Sequence, residues 1–502
     1  QDGAWRAIAT GSSTLLMAPT GSGKTLAAFL YALDRMMFRA DDESNRGRIL
    51  YISPIKALAV DVERNLRSPL AGLATVASRF GETTRPIRVA VRTGDTPQKE
   101  RVSMVKNPPD ILITTPESLY LMLTSKARAI LKDVDTIIID EIHAVAGNKR
   151  GTHLFLSLER LEHLRDAATP LQRIGLSATQ RPLNEIAMLL GGLHQIDGKL
   201  CPRPVEIVDV QEKKTLDLSI AVPTKDMVGL SDIEFEPDSA DNIGSGMTST
   251  GKAKSIWPLL YPEIIKKIRE HRTTLIFVNS RRTAERLANA INEVAEEELA
   301  RAHHGSLAHS VRMDIEDQLK QGTLPAIVAT ASLELGIDMG AVDLVIQVES
   351  PPSIASGLQR IGRAQHHVGG VPIGLTFPKF RADLIACATA HHAMLRGAIE
   401  ATRFLRNPLD VLAQQIVAII SMDDYSTDDL FELIQGAAPY GELSRSLFES
   451  VLDMLSGRYP SDDFSDLRPR VTWDRLTGQL TARKGTKRIA ILNGGTIPER
   501  GL

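Results

Sequence analysis

The chain has 502 residues, of which 43% are hydrophobic and 24% charged, and its formal net charge is −2. This balance indicates a globular protein of roughly three domains. Its only cysteines, Cys201 and Cys387, exclude a disulfide framework and a CxxC metal site, which predicts a cytoplasmic location. The absence of a long apolar run excludes a membrane partner, and the near-neutral charge requires any nucleic-acid surface to be local. Since the chain begins at Gln1 without Met, we expect it to be a piece of a longer protein.

The first strong signal is a glycine-rich loop between a short apolar strand and a helix. The strand ends at Met17, the loop runs from Ala18 to Lys24, and the helix follows Thr25. Backbone N–H groups at such a helix N-terminus bind phosphate, and glycine lets the backbone approach it. The lysine reaches the β- and γ-phosphates, and the threonine hydroxyl reaches Mg²⁺. The loop predicts a nucleotide-phosphate site formed by Thr20, Gly21, Ser22, Gly23, Lys24 and Thr25, although Ala18 replaces the usual first glycine.

Short apolar runs then alternate with helical stretches. Consecutive apolar residues indicate strands buried on both faces, so we predict a parallel α/β sheet with functional loops at the carboxyl ends of its strands. This first domain is predicted over residues 1–198, with strands at 48–52, 87–91, 110–113, 136–139 and 173–176.

A second α/β domain is predicted over residues 199–399, without a phosphate loop of its own. It contains a stretch at about 224–254, rich in Gly, Ser, Asp and Thr, which we interpret as a flexible insertion or, alternatively, a functional loop. A helix is predicted over 257–270 and strands over 274–278, 326–329, 344–348 and 374–377.

Residues 400–502 change pattern. Three amphipathic helices precede two predicted strands, 470–474 and 487–492, around a basic turn at 483–488. This order is typical of an α+β winged-helix domain, followed by the start of a further module; a plain helical bundle is the alternative. Trp473 is either a core residue or a contact for a base.

Asp140 and Glu141 directly follow the apolar strand 136–139. Two adjacent acids at the end of a buried strand repel each other unless a cation binds there. Asp140 therefore suits Mg²⁺ anchoring together with Thr25, and Glu141 suits deprotonation of an attacking water.

The motifs resemble, in order, those of superfamily 2 DEAD/DEAH-like helicases. They are Ser53–Leu58, Thr114–Ser118, Asp140–His143, Ser177–Thr179, Phe277–Arg281, Val328–Asp338 and Gln359–Arg363. The stretches Thr152–Leu154, Arg301–Ser306, Ser350–Pro352 and Asn493–Gly501 are similar to the large helicase-related (Lhr) proteins. The resemblance implies two RecA-like domains in tandem with ATP and Mg²⁺ between them, followed by the winged helix.

The family pattern also implies site residues. Gln1 stands at the adenine-reading position, Asp338 contacts ribose or couples the second domain to the nucleotide, and the second domain supplies Gln359, Arg360 and Arg363. Arg363 is our first choice for the arginine that meets the γ-phosphate, with Arg360 next, and an ion-pair role on the surface is the alternative. His143, Ser177 and Thr179 are either couplers between nucleotide and nucleic acid or hydrogen-bonded core groups.

Hydroxyl groups, glycine and cations in the other motifs suit contacts with a nucleic-acid backbone. The predicted contacts are Lys56, Arg92, Thr93, Thr115, Ser280, Arg281, Gly305, Ser306 and Thr330, with Ile497 as a wedge between bases or a packing residue. The resemblance implies a monomeric 3′-to-5′ helicase, with its C-terminal domains missing here, that acts on single-stranded DNA and on DNA or RNA:DNA duplexes in DNA repair. A nucleic-acid-stimulated ATPase that clamps or remodels complexes is the main alternative, and a P-loop transporter ATPase or kinase is a weaker one.

Overall fold

The structure is a computed structural model that describes residues 1–19, 22–38, 48–165, 169–178, 180–210, 215–224, 227, 230–231, 254–334, 342–364, 370–459 and 468–497. It divides into two compact units. Unit one consists of Gln1–Pro19, Gly23–Gln211 and Ala401–Leu502, and unit two is built on Glu212–Glu400. In the described part of the chain, no helix combines the length and the apolar character that crossing a membrane requires.

The first part of unit one is a seven-stranded sheet with helices on both faces. Its strands lie in the order β3-β4-β2-β5-β6-β1-β9, and every neighbouring pair is parallel. Residues of β2, β4, β5 and β6 are buried on both faces, as the continuous apolar runs predict. The elements are α1 (Asp2–Ala9), β1 (Ser13–Met17), α2 (Lys24–Phe38), β2 (Arg48–Ile52), α3 (Lys56–Arg79), β3 (Val89–Arg92), α4 (Gln98–Lys106), β4 (Ile111–Thr114), α5 (Pro116–Leu123), β5 (Val134–Ile139), α6 (His143–Ala146), α7 (Lys149–Leu164), β6 (Gln172–Ser177), α8 (Leu183–Gly191), β7 (Leu193–Ile196), β8 (Lys199–Pro202) and β9 (Val205–Asp209).

The edge strand β9 moves the end of this first part beyond the predicted boundary at residue 198. It pairs with β1 along its whole length, from Ser13 opposite Val205 to Met17 opposite Asp209. Its residues are half-buried or exposed, so it lacks the apolar run that marks the inner strands. The division between the units accordingly falls after Gln211.

Unit two contains a six-stranded parallel sheet in the order β10-β17-β16-β13-β15-β14. The helix predicted at 257–270 has these bounds in the structure. The strands β10 and β14 were not predicted, because each has polar residues within a run of four. The elements are β10 (Asp217–Ile220), β11 (Leu230–Ser231), β12 (Lys254–Ser255), α9 (Trp257–Glu270), β13 (Thr274–Phe277), α10 (Arg281–Ala295), β14 (Ala300–His303), α11 (His309–Gln321), β15 (Ala326–Ala329), β16 (Leu344–Val348), α12 (Ile354–Ile361), β17 (Ile373–Phe377) and α13 (Arg381–Arg396).

The C-terminal part of unit one combines helices with a small antiparallel sheet in the order β18-β20-β19. The predicted strand at 487–492 is wrong, because Gly485 (φ +89°) is followed by the helix α17, which packs against α14. The strand that pairs with Val471–Trp473 is instead Gln479–Ala482. The elements are α14 (Leu409–Ile420), β18 (Tyr425–Ser426), α15 (Thr427–Gln435), α16 (Arg445–Ser456), β19 (Val471–Trp473), β20 (Gln479–Ala482) and α17 (Thr486–Leu492).

This C-terminal part shares a core with the first sheet's helices. Tyr120 of α5 and Leu156 of α7 belong to the same apolar cluster as α14, α15 and α16. At its centre lies Gln415, which is fully buried, donates to the backbone oxygen of His153 (3.0 Å) and accepts from Arg160 (2.9 Å). The two parts of unit one are therefore joined by continuous packing and buried hydrogen bonds.

Candidate functional site at the carboxyl edge of the first sheet

The glycine-rich loop lies between β1 and α2, as the sequence predicts. Ala18, the residue after β1, donates its N–H to the Ser177 carbonyl at 3.2 Å, which ties the loop's start to the end of β6. Gly23 has φ +80°, a conformation that glycine adopts without strain. A Cβ at Gly23 would lie 2.3 Å from Nε2 of Gln1, so the Gln1 amide lies against the loop. Thr20 and Gly21 are outside the described residues, and Ser22 is exposed.

Lys24, the first residue of α2, is buried. It is 8% exposed, and its Nζ has no hydrogen-bond partner among the described residues. A buried ammonium group whose donors have no hydrogen-bond acceptor is costly, so this position requires acceptor oxygens. The phosphate oxygens of a nucleotide fit this requirement, since they lie where the N-terminus of α2 points.

Asp140 and Glu141 follow β5 on the neighbouring part of the same edge. The Asp140 N–H donates to Ile52 (2.9 Å), its Oδ1 accepts from the Glu141 N–H (2.9 Å), and the Tyr51 hydroxyl donates to its Oδ2. Burial and the adjacent Glu141 raise the pKa of Asp140 to about 7, although Tyr51 and Lys24 favour its charged form. The surroundings therefore do not fully compensate the negative charge of the two buried carboxylates. A divalent cation fits this donor set, and Mg²⁺ would supply the missing positive charge, held by Asp140 and Thr25.

Glu141 lies in a strained backbone conformation beside the predicted coupling residues. Its φ is +44°, which is unusual for a residue other than glycine and is typical of functional positions. Nδ1 of His143 lies 3.4 Å from Oε2 of Glu141 and 3.1 Å from Oγ of Ser177. The structure therefore brings His143 and Ser177 together with the predicted base. Thr179 lies outside the described residues.

The other half of this edge, at the ends of β2, β3 and β4, holds the predicted nucleic-acid contacts of unit one. Lys56 forms an ion pair with Asp95 (2.7 Å), and Thr93 is buried in a turn closed by Thr96. Thr115 occupies the N-cap position of α5, and its hydroxyl donates to that of Ser118 at 3.2 Å. The strand order explains this division. On one side of β2 lie β5, β6 and β1, and on its other side lie β4 and β3.

Arg92 has a neighbour that the sequence did not reveal. Burial and the nearby Arg101 lower the pKa of Arg92, and its Nη1 is buried with no hydrogen-bond partner in the described part of the chain. Arg101 of α4 donates to the carbonyls of Thr93 (3.0 Å) and Gly94 (2.8 Å). Neither arginine forms an ion pair among the described residues, and two neighbouring cations of this kind favour an anion such as a backbone phosphate. The sequence motif includes Arg92 and the loop after it. Arg101 was not predicted because it lies on the following helix, α4, and contacts the loop from there.

Within unit two, the predicted nucleic-acid contacts also meet at one sheet edge. Ser280 caps α10 by accepting the N–H of Thr283 (3.0 Å), and Arg281 donates to Oγ of Ser306 (2.7 Å). Thr330 follows the adjacent strand β15, and a Cβ at Gly305 would meet no atom within 4 Å. These residues therefore surround the ends of β13, β15 and β14, which are neighbours in the sheet.

His303 lies beside this group and was missed as a functional residue. It is 1% exposed, and its ring lies 3.1 Å from Oγ of Ser332 and 3.0 Å from Oε1 of Glu316. These contacts join the end of β14 to α11 and to the segment after β15. The adjacent pair of histidines in the sequence was the available signal.

The two motif arginines, one in α12 and one just after it, have different surroundings. Arg360 is 2% exposed, and it bonds Glu334 (2.7 Å), Gln347 (2.9 Å) and Asn279 (3.0 Å). Its guanidinium also lies over the Phe277 ring at 5.2 Å. Arg363 follows the helix and donates to the carbonyl of Glu334 at 2.7 Å.

The remaining predicted residues lie on α12, in the C-terminal part of unit one or outside the described ranges. Gln359 is half-buried on α12, and Asp338 is not among the described residues. Ile497 is 63% exposed in unit one. Trp473 is half-buried under the guanidinium of Arg475, which lies 3.1 Å from the ring centroid.

Comparison with protein-family models divides the chain into three matched segments. Residues 1–186 match the DEAD/DEAH box helicase model, residues 257–367 match the helicase conserved C-terminal domain, and residues 392–502 match the winged helix domain of the large helicase-related protein. The predicted fold class of two parallel-sheet domains and a winged-helix domain is thereby confirmed.

Known proteins are similar over the whole chain. The Lhr helicase/probable uracil glycosylase of Mycolicibacterium smegmatis is 50% identical over all of this chain and 33% of its own length. The Lhr helicase/uracil glycosylase of Escherichia coli is 48% identical over 99% of this chain and 34% of its own length. A solved structure of Mycobacterium smegmatis helicase Lhr bound to ssDNA and AMP-PNP has a TM-score of 0.85 and 50% identity, over all of this chain and 60% of that one. The chain thus spans about a third of these two bacterial relatives.

Proposed function

Because the chain belongs to the large helicase-related family of superfamily 2 ATP-dependent helicases, we propose that it hydrolyses ATP to move along single-stranded DNA and displaces the opposite strand. The carrying observation is the common edge of the first sheet. Lys24, Asp140 and Glu141 lie on one half of it, and Arg92 and Thr93 lie on the other. A nucleic-acid strand bound along this edge would lie beside the nucleotide site. ATP hydrolysis could then change the contacts with the nucleic acid directly.

In this proposal the residues of the nucleotide site divide the chemistry. Gln1 contacts the base, Lys24 and the loop N–H groups hold the phosphates, and Thr25 and Asp140 hold Mg²⁺. Glu141 accepts a proton from the attacking water, and His143 and Ser177 connect it to the nucleic-acid side. From the second unit, Arg363 stabilises the negative charge that develops on the γ-phosphate oxygens, with Gln359 beside it and Asp338 near the ribose. Arg360 positions α12, because its donors already bind neighbouring side chains.

The nucleic-acid contacts proposed for both sheet edges go to the backbone and carry no sequence preference. The relative whose structure holds ssDNA and AMP-PNP supports this choice of strand and nucleotide. We propose 3′-to-5′ movement by a monomer, with DNA and RNA:DNA duplexes as substrates, Ile497 as a wedge at the junction, and a cytoplasmic location. Residues 1–211, 212–400 and 401–502 would then form the first motor domain, the second motor domain and the winged-helix module.

Strand displacement from tailed duplexes tests the proposal. Fluorescent DNA duplexes and RNA:DNA hybrids with a 3′ or a 5′ single-stranded tail are mixed with the chain, ATP and Mg²⁺, with Lys24→Ala as the inactive control. We expect ATP-dependent displacement of 3′-tailed duplexes and ATPase stimulation by single strands, both lost in the control. Stimulated ATPase without displacement would favour a clamp or remodelling ATPase, and no stimulation by any nucleic acid would overturn both functions.

A further inference from the structure

Tyr51 lies on the strand next to the acid pair, one residue before the end of β2. The strand register pairs Tyr51 with Ile138 and Ile52 with Ile139. Since side chains alternate along a strand, Ile138 and Asp140 point to the same face, and Tyr51 shares that face with them. The diagonal distance between such neighbours is within reach of a long aromatic side chain. The register therefore places the Tyr51 hydroxyl at the carboxylate of Asp140.

The surroundings of Tyr51 are otherwise apolar. The ring is fully buried and is stacked on Phe29 of α2, with centroids 5.3 Å apart and an interplanar angle of 14°. It belongs to an apolar cluster with Leu16 and Ile138. A hydroxyl group in such a core requires a hydrogen-bond partner. Here it donates to Oδ2 of Asp140.

We propose that Tyr51 is a positioning residue that holds the carboxylate of Asp140 in the arrangement a divalent cation requires. The inference rests on the proposed function, because it assigns the cation to the nucleotide site. Phe29 fixes the ring from α2, and the register of β2 on β5 fixes its height, so that the hydroxyl links the phosphate-loop helix to the strand that ends in the acid pair. The second oxygen of Asp140 is fixed independently by the Glu141 N–H.

The test replaces Tyr51 by Phe, which keeps the stacked ring and removes the hydroxyl. The matched control is Tyr440→Phe, since Tyr440 is also fully buried and loses one bond, to the carbonyl of Pro408 at 3.0 Å. The affinity for a fluorescent ADP analogue is measured with Mg²⁺ and with EDTA, and the ratio of the two gives the Mg²⁺ effect without turnover. Because hydrogen bonds to charged groups are strong, we expect Tyr51→Phe to reduce this ratio about tenfold, with EDTA affinity unchanged.

A double-mutant cycle with Asp140→Asn separates positioning from general damage to the fold. If Tyr51 acts through Asp140, Tyr51→Phe adds no further loss of the Mg²⁺ effect in the Asp140→Asn background. Equal Mg²⁺ effects in wild type, Tyr51→Phe and Tyr440→Phe would overturn the inference, as would additive losses. If wild type itself shows no Mg²⁺-dependent nucleotide binding, the proposed nucleotide site fails instead, so the two failures are distinct.

Discussion

The two parallel sheets carry buried charge at their carboxyl edges in opposite states. In unit one, Lys24 has no hydrogen-bond partner among the described residues, and the pKa of Asp140 is raised by burial and by the second carboxylate beside it. In unit two, the buried Arg360 donates to Glu334, Gln347 and Asn279. The buried charges of the first edge are poorly compensated as they stand, whereas Arg360 in unit two is compensated by Glu334 and two further acceptors.

This difference distinguishes a ligand site from a structural one. An uncompensated ammonium and acid pair lower the stability of the free protein, and a ligand of opposite charge relieves that cost when it binds. Removal of a cation that is fully hydrogen-bonded destabilises the fold because its buried partners are left unpaired, and such a cation has few donors left for a ligand. Similarity of motif alone does not separate these two roles, because Arg360 and Arg363 belong to one motif.

The largest expected effect is on Arg363, which we assign to the γ-phosphate. Arg363→Ala should lower the turnover number for ATP about 10³-fold, while the affinity for nucleotide changes little, because the contact forms only as the transition-state charge develops. Steady-state ATPase assays and nucleotide titrations measure the two quantities. Arg396→Ala, at an exposed position of α13, is the control and should leave both unchanged. Equal losses of turnover and affinity would make Arg363 a binding residue.

At the carboxyl edge of the first sheet, the substitution of Glu141 gives the strongest test. Glu141→Gln should lower ATP turnover about 10²- to 10³-fold and retain nucleotide binding, since the amide cannot accept the proton of the attacking water. The matched control is Asp135→Asn, at the other end of the same strand, where the carboxylate pairs with Arg35. The control should keep wild-type turnover. Near-normal hydrolysis by Glu141→Gln would contradict the assignment of the base.

How far the sequence predicts this molecule depends on whether a feature is local. The glycine-rich loop and the Asp140–Glu141 pair could be found, because the chemistry lies within a few consecutive residues. The hydroxyl of Tyr51 could not, since its partner lies 89 residues away along the chain and the strand register alone brings them together. The strand β9 was not predicted for a related reason. It is an edge strand with half-buried or exposed residues, so it has no run of consecutive buried residues. The short run 487–492 does not distinguish a strand from the helix that packing on α14 selects.

Substitution of Arg360 should change the stability of unit two and not the ATP turnover directly. Arg360→Ala leaves Glu334 largely buried without its cation, so unit two should lose about 3–5 kcal/mol of its free energy of unfolding. Hydrogen exchange of the amides in β13 and β16 measures this loss for unit two by itself. The double variant Arg360→Ala/Glu334→Ala should recover part of it, because no charge is then left alone. Wild-type exchange together with lost turnover would instead place Arg360 at the phosphate.

The smallest expected effect concerns His153 of unit one, a buried side chain whose surroundings disfavour its protonated form. Burial and the nearby Arg160 lower its pKa to about 3, its Nε2 has no hydrogen-bond partner in the described ranges, and its ring packs on Tyr120 with centroids 4.6 Å apart. Because the folded pKa lies below the ordinary value of about 6.5, the unfolded chain binds the proton more readily. The stability that neutral His153 permits is complete above pH 6.5 and is lost as the pH falls towards 3.

A change from pH 7 to pH 5 should therefore cost unit one about 2 kcal/mol through this residue. His153→Phe keeps an aromatic ring against Tyr120 and binds no proton, so its loss over the same interval should be smaller by that amount. Amide exchange of α7 and α14 at the two pH values, corrected for intrinsic rates, measures the difference, and His392→Gln, on the exposed face of α13, is the control that should behave as wild type. If wild type and His153→Phe lose the same stability, the histidine is protonated without cost. The junction of α7 with α14 would then be as well compensated as the surroundings of Arg360.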